Sequence, residues 1–241
     1  MTVAFEVVED PATAAAAMLV SAALGGGEVV LAGGSTPKAA YTQFVRAVRE
    51  VGFDLSHTTF WIGDERCVGP DDQLSNFKMI RDSLLEPLSD VPQPEVNRIK
   101  GELGPEHAAD DYEREVQAAG PPKFDLVLLG IGPDGHTASL FPGQASLSER
   151  SRLVVGVPEA GLEPFVPRVT LTVPTLANAR DVVFLVSGGS KADAVARAFG
   201  PGSEPSPQFP ASLLVPEADQ ITVLMDADAA ARIDLGAAGM S

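Results

Sequence analysis

Asp134 and His136 stand two residues apart in Gly130-Ile131-Gly132-Pro133-Asp134-Gly135-His136, directly after the apolar run Leu126–Leu129. A carboxylate can fix one tautomer of a neighbouring imidazole, and the imidazole titrates near neutrality, so the pair suits proton transfer. A short continuous apolar run reads as a buried parallel strand. Ligands of open α/β sheets sit at the carboxyl ends of such strands. Three glycines let the backbone turn sharply and approach a ligand closely, so the segment reads as a catalytic loop. His57 and His107 lie in polar or helical contexts with no partner nearby in the sequence. The glycine spacing also matches a dinucleotide fingerprint. Pro133, however, removes one backbone donor, Asp134 would repel pyrophosphate, and no strand-terminal acid follows at about 20 positions. A nicotinamide site is therefore disfavoured, and no Gly-x-Ser-x-Gly elbow offers a serine nucleophile.

Two further turns carry groups suited to an anion. Leu31-Ala32-Gly33-Gly34-Ser35-Thr36-Pro37-Lys38 joins a strand to a helix, where backbone N–H groups and a hydroxyl cap favour negative charge. An ordinary helix cap explains the same residues equally well. It is not a Walker A loop, which ends in Gly-Lys-Ser/Thr. Ser187-Gly188-Gly189-Ser190-Lys191 repeats the pattern one strand–helix unit later. Lys191 falls in the first helical turn, where the helix dipole disfavours a cation, and this placement makes sense if it faces a bound anion. Asp64-Glu65-Arg66 follows the run Phe60-Trp61-Ile62, so Arg66 can reach the same ligand. Arg168 opens an apolar strand, either at a sheet edge or as a phosphate clamp, since guanidinium geometry suits phosphate or an oxyanion.

These groups need a scaffold, and the chain supplies alternating strands and helices. Strands are expected at Phe5–Val8, Glu28–Ala32, Thr58–Ile62, Asp125–Leu129, Val166–Val173, Val182–Val186 and Ile221–Met225. Helices are expected at Pro11–Leu24, from Pro37 as first helical residue, at Asn76–Leu85, Glu106–Ala119 and Lys191–Phe199. Such alternation predicts an α/β fold, a mostly parallel sheet with helices on both faces. Gly200–Pro210 is rich in Pro, Gly and Ser and is read as a surface loop. The tail 236–241 is expected to fray.

The chain has 241 residues, 45% hydrophobic, enough for a substantial core in what is read as one domain spanning residues 1–241. Its formal net charge of −16 argues against a nucleic-acid partner, which needs a concentrated basic face. Screening limits charge effects to about 8 Å, so a few local cations can still build an anion site. Cys67 is the lone cysteine, which leaves no internal disulfide and no cysteine cage for zinc. No apolar run approaches the roughly 20 residues of a membrane helix, and no secretory signal is visible. A cytoplasmic protein without membrane partners is expected, as a monomer or weak oligomer.

Together, LAGGSTP (31–37), WIGDERCV (61–68), SNFKMIRDSLL (75–85), FDLVLLGIGPDGHTASLFPG (124–143), PRVTLT (167–172) and VSGGSKADAV (186–195) resemble the 6-phosphogluconolactonase family. They span most of the chain in that family's order. Glucosamine-6-phosphate deaminases share the superfamily, but they typically carry an aromatic residue after Asp-Glu and an Ile-Ala-Phe-Asn-Glu-Pro type continuation of the histidine loop. Here Arg66 and Thr137-Ala138-Ser139-Leu140-Phe141-Pro142 stand instead. The resemblance implies a Rossmann-like sheet and hydrolysis of 6-phospho-D-glucono-1,5-lactone without metal or organic cofactor. The sequence itself shows no ligand cluster for either. On this reading His136 is the general base, Asp134 orients it, and Arg66 with glycine-loop N–H groups stabilises the oxyanion. Gly34, Ser35, Thr36, Arg168 and Lys191 hold the phosphate, and Asn76 meets a sugar hydroxyl. A deaminase-type sugar-phosphate enzyme, a non-catalytic sugar-phosphate sensor and a nicotinamide dehydrogenase are the alternatives.

Overall fold

The computed structural model describes residues 2–120, 123–234 and 236. Its strands are β1 (Thr2–Val7), β2 (Glu28–Leu31), β3 (Thr59–Ile62), β4 (Asp64–Arg66), β5 (Glu95–Asn97), β6 (Phe124–Leu129), β7 (Val154–Val157), β8 (Arg168–Leu171), β9 (Ala179–Val186) and β10 (Gln220–Met225). Its α-helices are α1 (Pro11–Leu24), α2 (Ser35–Val51), α3 (Asn76–Ile80), α4 (Pro105–Ala118), α5 (Val173–Ala177) and α6 (Ala192–Phe199). Seven strands form one sheet in the order β1-β10-β9-β6-β2-β3-β5, all paired in parallel. Val29–Leu31 and Val182–Val186 are buried at every successive position. Successive strand side chains face opposite ways, so both faces of this sheet are covered, and the strands read as unbroken apolar runs.

Local sequence accounts for the helix ends. Asp10 accepts hydrogen bonds from the backbone N–H groups of Ala12 and Thr13 at 3.0 and 3.2 Å and caps α1, with Pro11 in its first turn. The second helix departs from expectation. It starts at Ser35 rather than Pro37, and its cap is Gly34 at φ +110°, with no side chain bonded to the free N–H groups. The Asn76–Leu85 helix also divides, into α3 and a π-helical turn over Arg81–Leu85. Gly200–Phe209 is a loop, as its composition implies, ending in a short 3-10 turn at Pro210–Leu214. The expected fraying of 236–241 falls, apart from Gly236, outside the described residues.

A second, three-stranded antiparallel sheet, β4-β8-β7, was not foreseen. The charged Asp64-Glu65-Arg66 is a strand, not a loop. Arg168 sits on the central strand rather than at an edge, and the apolar stretch expected to run on to Val173 turns into α5 after Leu171. Two fully buried tyrosines secure the ends of neighbouring strands in the large sheet. Tyr41 Oη donates to Ala32 O at 2.7 Å and accepts from Ala32 N at 2.9 Å. Tyr112 Oη does the same for Ile62, at 3.1 and 2.9 Å. Each hydroxyl thus fixes the residue at which the chain leaves the sheet for the cleft.

Candidate active site

The carboxyl ends of β2, β3, β6 and β9 open onto a cleft of about 260 Å³. At the end of β6, Gly132 N donates to His136 O at 2.8 Å and Gly135 N donates to Gly132 O at 3.0 Å, closing a tight turn that needs Gly135 at φ +83°. That turn brings His136 Nδ1 to 2.5 Å from Asp134 Oδ1. The carboxylate can only accept, so Nδ1 carries the proton, and Nε2 is the nitrogen that presents a lone pair in the neutral imidazole. Burial alone would raise the Asp134 carboxyl, but the His136 ring's hydrogen bond and charge, with the His136 backbone N–H, hold it below its ordinary value. The Phe141 ring lies against the imidazole, 4.8 Å between centroids.

Two arginines face each other across the small sheet, because Arg66 and Arg168 are direct cross-strand partners. Like charges so placed are destabilising unless an anion lies between or beside them. Arg168 is 3% exposed. Its Nε donates to Val166 O at 3.0 Å and its Nη2 to Pro164 O at 2.7 Å, while the guanidinium lies 5.9 Å from the Phe141 ring centroid. Burial, and then the charge of Arg66, lower its pKa against the opposing carboxylates of Asp64 and Glu65. Arg66 Nη1 donates to Leu74 O at 2.5 Å, but its buried Nε finds no partner among protein atoms. An unmet buried donor is costly, about 1–3 kcal/mol, and a ligand oxygen would relieve it.

Both glycine-rich turns reach the cleft. Gly34, Ser35 and Thr36 line it at the uncapped start of α2, and Ser187 and Lys191 line it from the other side. Lys191 stands at the last residue of a 3-10 turn, Gly189–Lys191, immediately before α6. Burial lowers its pKa, and the nearby charge of Asp134 partly opposes that. Asn76, 3% exposed, forms part of the cleft wall. Its Nδ2 donates to Asp64 O at 2.8 Å and Asp64 Oδ1 at 3.2 Å. Its Oδ1 lies where a Cβ on Gly33 would stand, 2.1 Å away, so Gly33 is required by the asparagine. Gly34, Ser35, Thr36, Arg66, Asn76, His136, Arg168 and Lys191 thus line one cleft, and Asp134 stands beside it through its bond to His136.

Several supporting residues carried no recognisable signal. Glu65, 2% exposed, accepts from the backbone N–H groups of Arg66, Asn76 and Phe77, each at 2.7 Å, and from Ser75 Oγ at 3.0 Å. Burial pushes its carboxyl upward, and those four donors work against that. Asp64 accepts from Ser139 Oγ at 2.6 Å, which ties the histidine loop to the small sheet. Leu162 and Glu163 close one wall of the cleft. Among the described residues no three His, Cys, Asp or Glu side chains are grouped as a metal ion would need, and no helix is long and apolar enough to cross a membrane.

Sheet order and cleft position define an α/β protein whose candidate site lies at a topological switch point, with Arg66, Arg168 and Lys191 in its lining. The chain belongs to the glucosamine-6-phosphate isomerase/6-phosphogluconolactonase family, whose model matches residues 3–223. A Synechocystis sp. protein named 6-phosphogluconolactonase is 39% identical over 203 residues, covering 81% of this chain and 80% of that protein. The solved structure of 6-phosphogluconolactonase from Trypanosoma cruzi superimposes with a TM-score of 0.82 at 28% identity, covering 97% of this chain and 98% of its own. A monomeric glucosamine-6-phosphate deaminase also superimposes, with a TM-score of 0.81 at 25% identity over 96% of this chain and 100% of its own. The fold is thus shared across both activities, and the site must separate them.

Proposed function

We propose that the chain hydrolyses 6-phospho-D-glucono-1,5-lactone to 6-phospho-D-gluconate, in the oxidative pentose phosphate pathway and in the cytoplasm. The observation that carries this reading is the 2.5 Å His136–Asp134 pair in a cleft also lined by Arg66, Arg168 and Lys191. His136 Nε2 takes a proton from water as the water oxygen bonds to the lactone carbonyl carbon. Arg66 and the N–H groups of the glycine loop stabilise the resulting oxyanion. The ring C–O bond then breaks, and the imidazolium returns its proton to the departing ring oxygen. Gly34, Ser35 and Thr36 receive the phosphate, Arg168 and Lys191 neutralise it, and Asn76 stands beside the sugar hydroxyls. Grip on a phosphate remote from the reacting carbon supplies orientation rather than mere affinity.

The test is hydrolysis of freshly generated lactone, followed by NMR against the spontaneous rate. Ammonia release from glucosamine 6-phosphate would instead select the deaminase reading, which the shared fold keeps as the rival. Tight binding of 6-phosphogluconate without turnover would select a sensor.

Lys191→Ala is expected to raise KM by about tenfold or more, since a charged hydrogen bond contributes roughly 1.5–3 kcal/mol, with a much smaller change in kcat. An unchanged KM removes Lys191 from phosphate binding. A pH dependence follows from the same side chain. Burial favours its neutral form, so Lys191 loses its proton at a lower pH than an exposed lysine, and KM should climb as pH rises through that value. Lys191→Arg stays charged throughout and should abolish the climb, measured with the uncatalysed rate subtracted.

A further inference from the structure

Asp226 follows directly on β10 and lies outside every motif discussed above. Its carboxylate accepts from Ser187 Oγ at 2.5 Å and from Gly188 N at 2.9 and 3.1 Å, and its Oδ1 also accepts from Ala229 N at 2.8 Å. Gly188 has φ +88°, a conformation open to glycine and rarely to other residues. Its carbonyl accepts from Lys191 N at 3.1 Å. One glycine is thus held by its N–H to the aspartate and by its C=O to the lysine backbone. The Ser187 hydroxyl and Gly188 N–H are engaged by a carboxylate of the protein. What this turn offers the ligand is Lys191, aimed by a backbone that Asp226 fixes.

We propose that Asp226 is a positioning residue for phosphate recognition, setting the Ser187–Lys191 turn so that the ammonium of Lys191 meets the phosphoryl group. The inference rests on the phosphate reading given under Proposed function. A carboxylate near an anion site is unfavourable electrostatically. It is tolerated here because its lone pairs face three donors, and burial, which would raise its pKa, is outweighed by Ser187 and the backbone N–H groups of Ala229 and Gly188. Its removal frees the turn without touching His136, Asp134 or Arg66.

The experiment compares wild type, Asp226→Ala, Asp226→Asn and Lys191→Ala, reading kcat, KM and competitive inhibition by inorganic phosphate. Asp226→Ala is expected to raise KM and the phosphate Ki together by roughly tenfold, the scale of one ordering hydrogen bond, with kcat within about twofold. Asp226→Asn keeps one acceptor oxygen and should show a smaller rise in both. A folded Asp226→Ala whose KM and Ki match wild type overturns the proposal, as does a loss confined to kcat. Should Asp226→Ala fail to fold, Asp226→Asn and Ser187→Ala carry the same comparison, and unchanged KM and Ki in both overturn it. If Lys191→Ala moves KM and Ki but no Asp226 variant does, the positioning role alone falls. If Lys191→Ala moves neither, the phosphate assignment falls first.

Discussion

His136→Ala is expected to lower kcat by roughly 10²–10⁴-fold, the usual contribution of a positioned general base, while KM stays within about twofold. The geometry dictates this division. The ring's Nδ1 is bound to Asp134 at 2.5 Å, so only Nε2 is left for substrate water, and the groups assigned to phosphate come from other strands. Truncation removes the proton acceptor and leaves the clamp standing. Steady-state kinetics on fresh lactone check it. Near-normal turnover would take His136 out of the mechanism, and a collapse in KM alone would make it a binding residue.

Gly132→Ala should cost nearly as much without altering any group assigned to the chemistry. A Cβ on Gly132 would lie 2.0 Å from His136 Nδ1 and 2.5 Å from Asp134 Oδ1. Gly132 is not among the glycines at positive φ, so alanine fits the backbone, and the colliding atoms are the tips of two side chains that can swing away. The fold survives while the base is displaced. An ångström of misplacement at a reacting centre can cost about 10²-fold, and a loss of that order in kcat is expected with a thermal midpoint close to wild type. Retained activity would mean that the imidazole works from a second position. A large drop in melting temperature would mean that the loop, not the pair, had failed.

The inner strands of the parallel sheet were legible because they are covered on both faces and so read as apolar runs, of which Val182–Val186 is the clearest, whereas the short edge strand β5, with Glu95 exposed, was not. The small antiparallel sheet was not. Its strand β4 is three charged residues, Asp64, Glu65 and Arg66, whose burial depends on partners from Ser75, Asn76, Phe77 and Ser139 that lie far along the chain. No local pattern encodes that. Strand β7, Val154–Val157, is short and interrupted by Gly156, which weakens a strand pattern. The expected hydroxyl cap on α2 failed because Gly34 takes the capping position, which leaves the helix N–H groups facing the cleft. Asp134, His136, Ser35, Thr36 and Lys191, proposed for catalysis and anion binding, sit beside glycine-rich turns and so announce themselves in sequence. Asp226 is an isolated acid after a strand, and only its three-dimensional partners mark it.

The order of strands has a consequence for how the molecule is made. Among the described residues, strand β1 pairs only with β10, from Thr2 against Gln220 to Val7 against Met225. Strand β1 must therefore wait, unpaired, until β10 emerges, while β2, β3 and β6 can already associate. Long-range closure of this kind slows folding and exposes an apolar edge meanwhile. A nascent chain stalled short of β10 would lack Asp226 and leave β1 without the neighbour it has in the folded sheet.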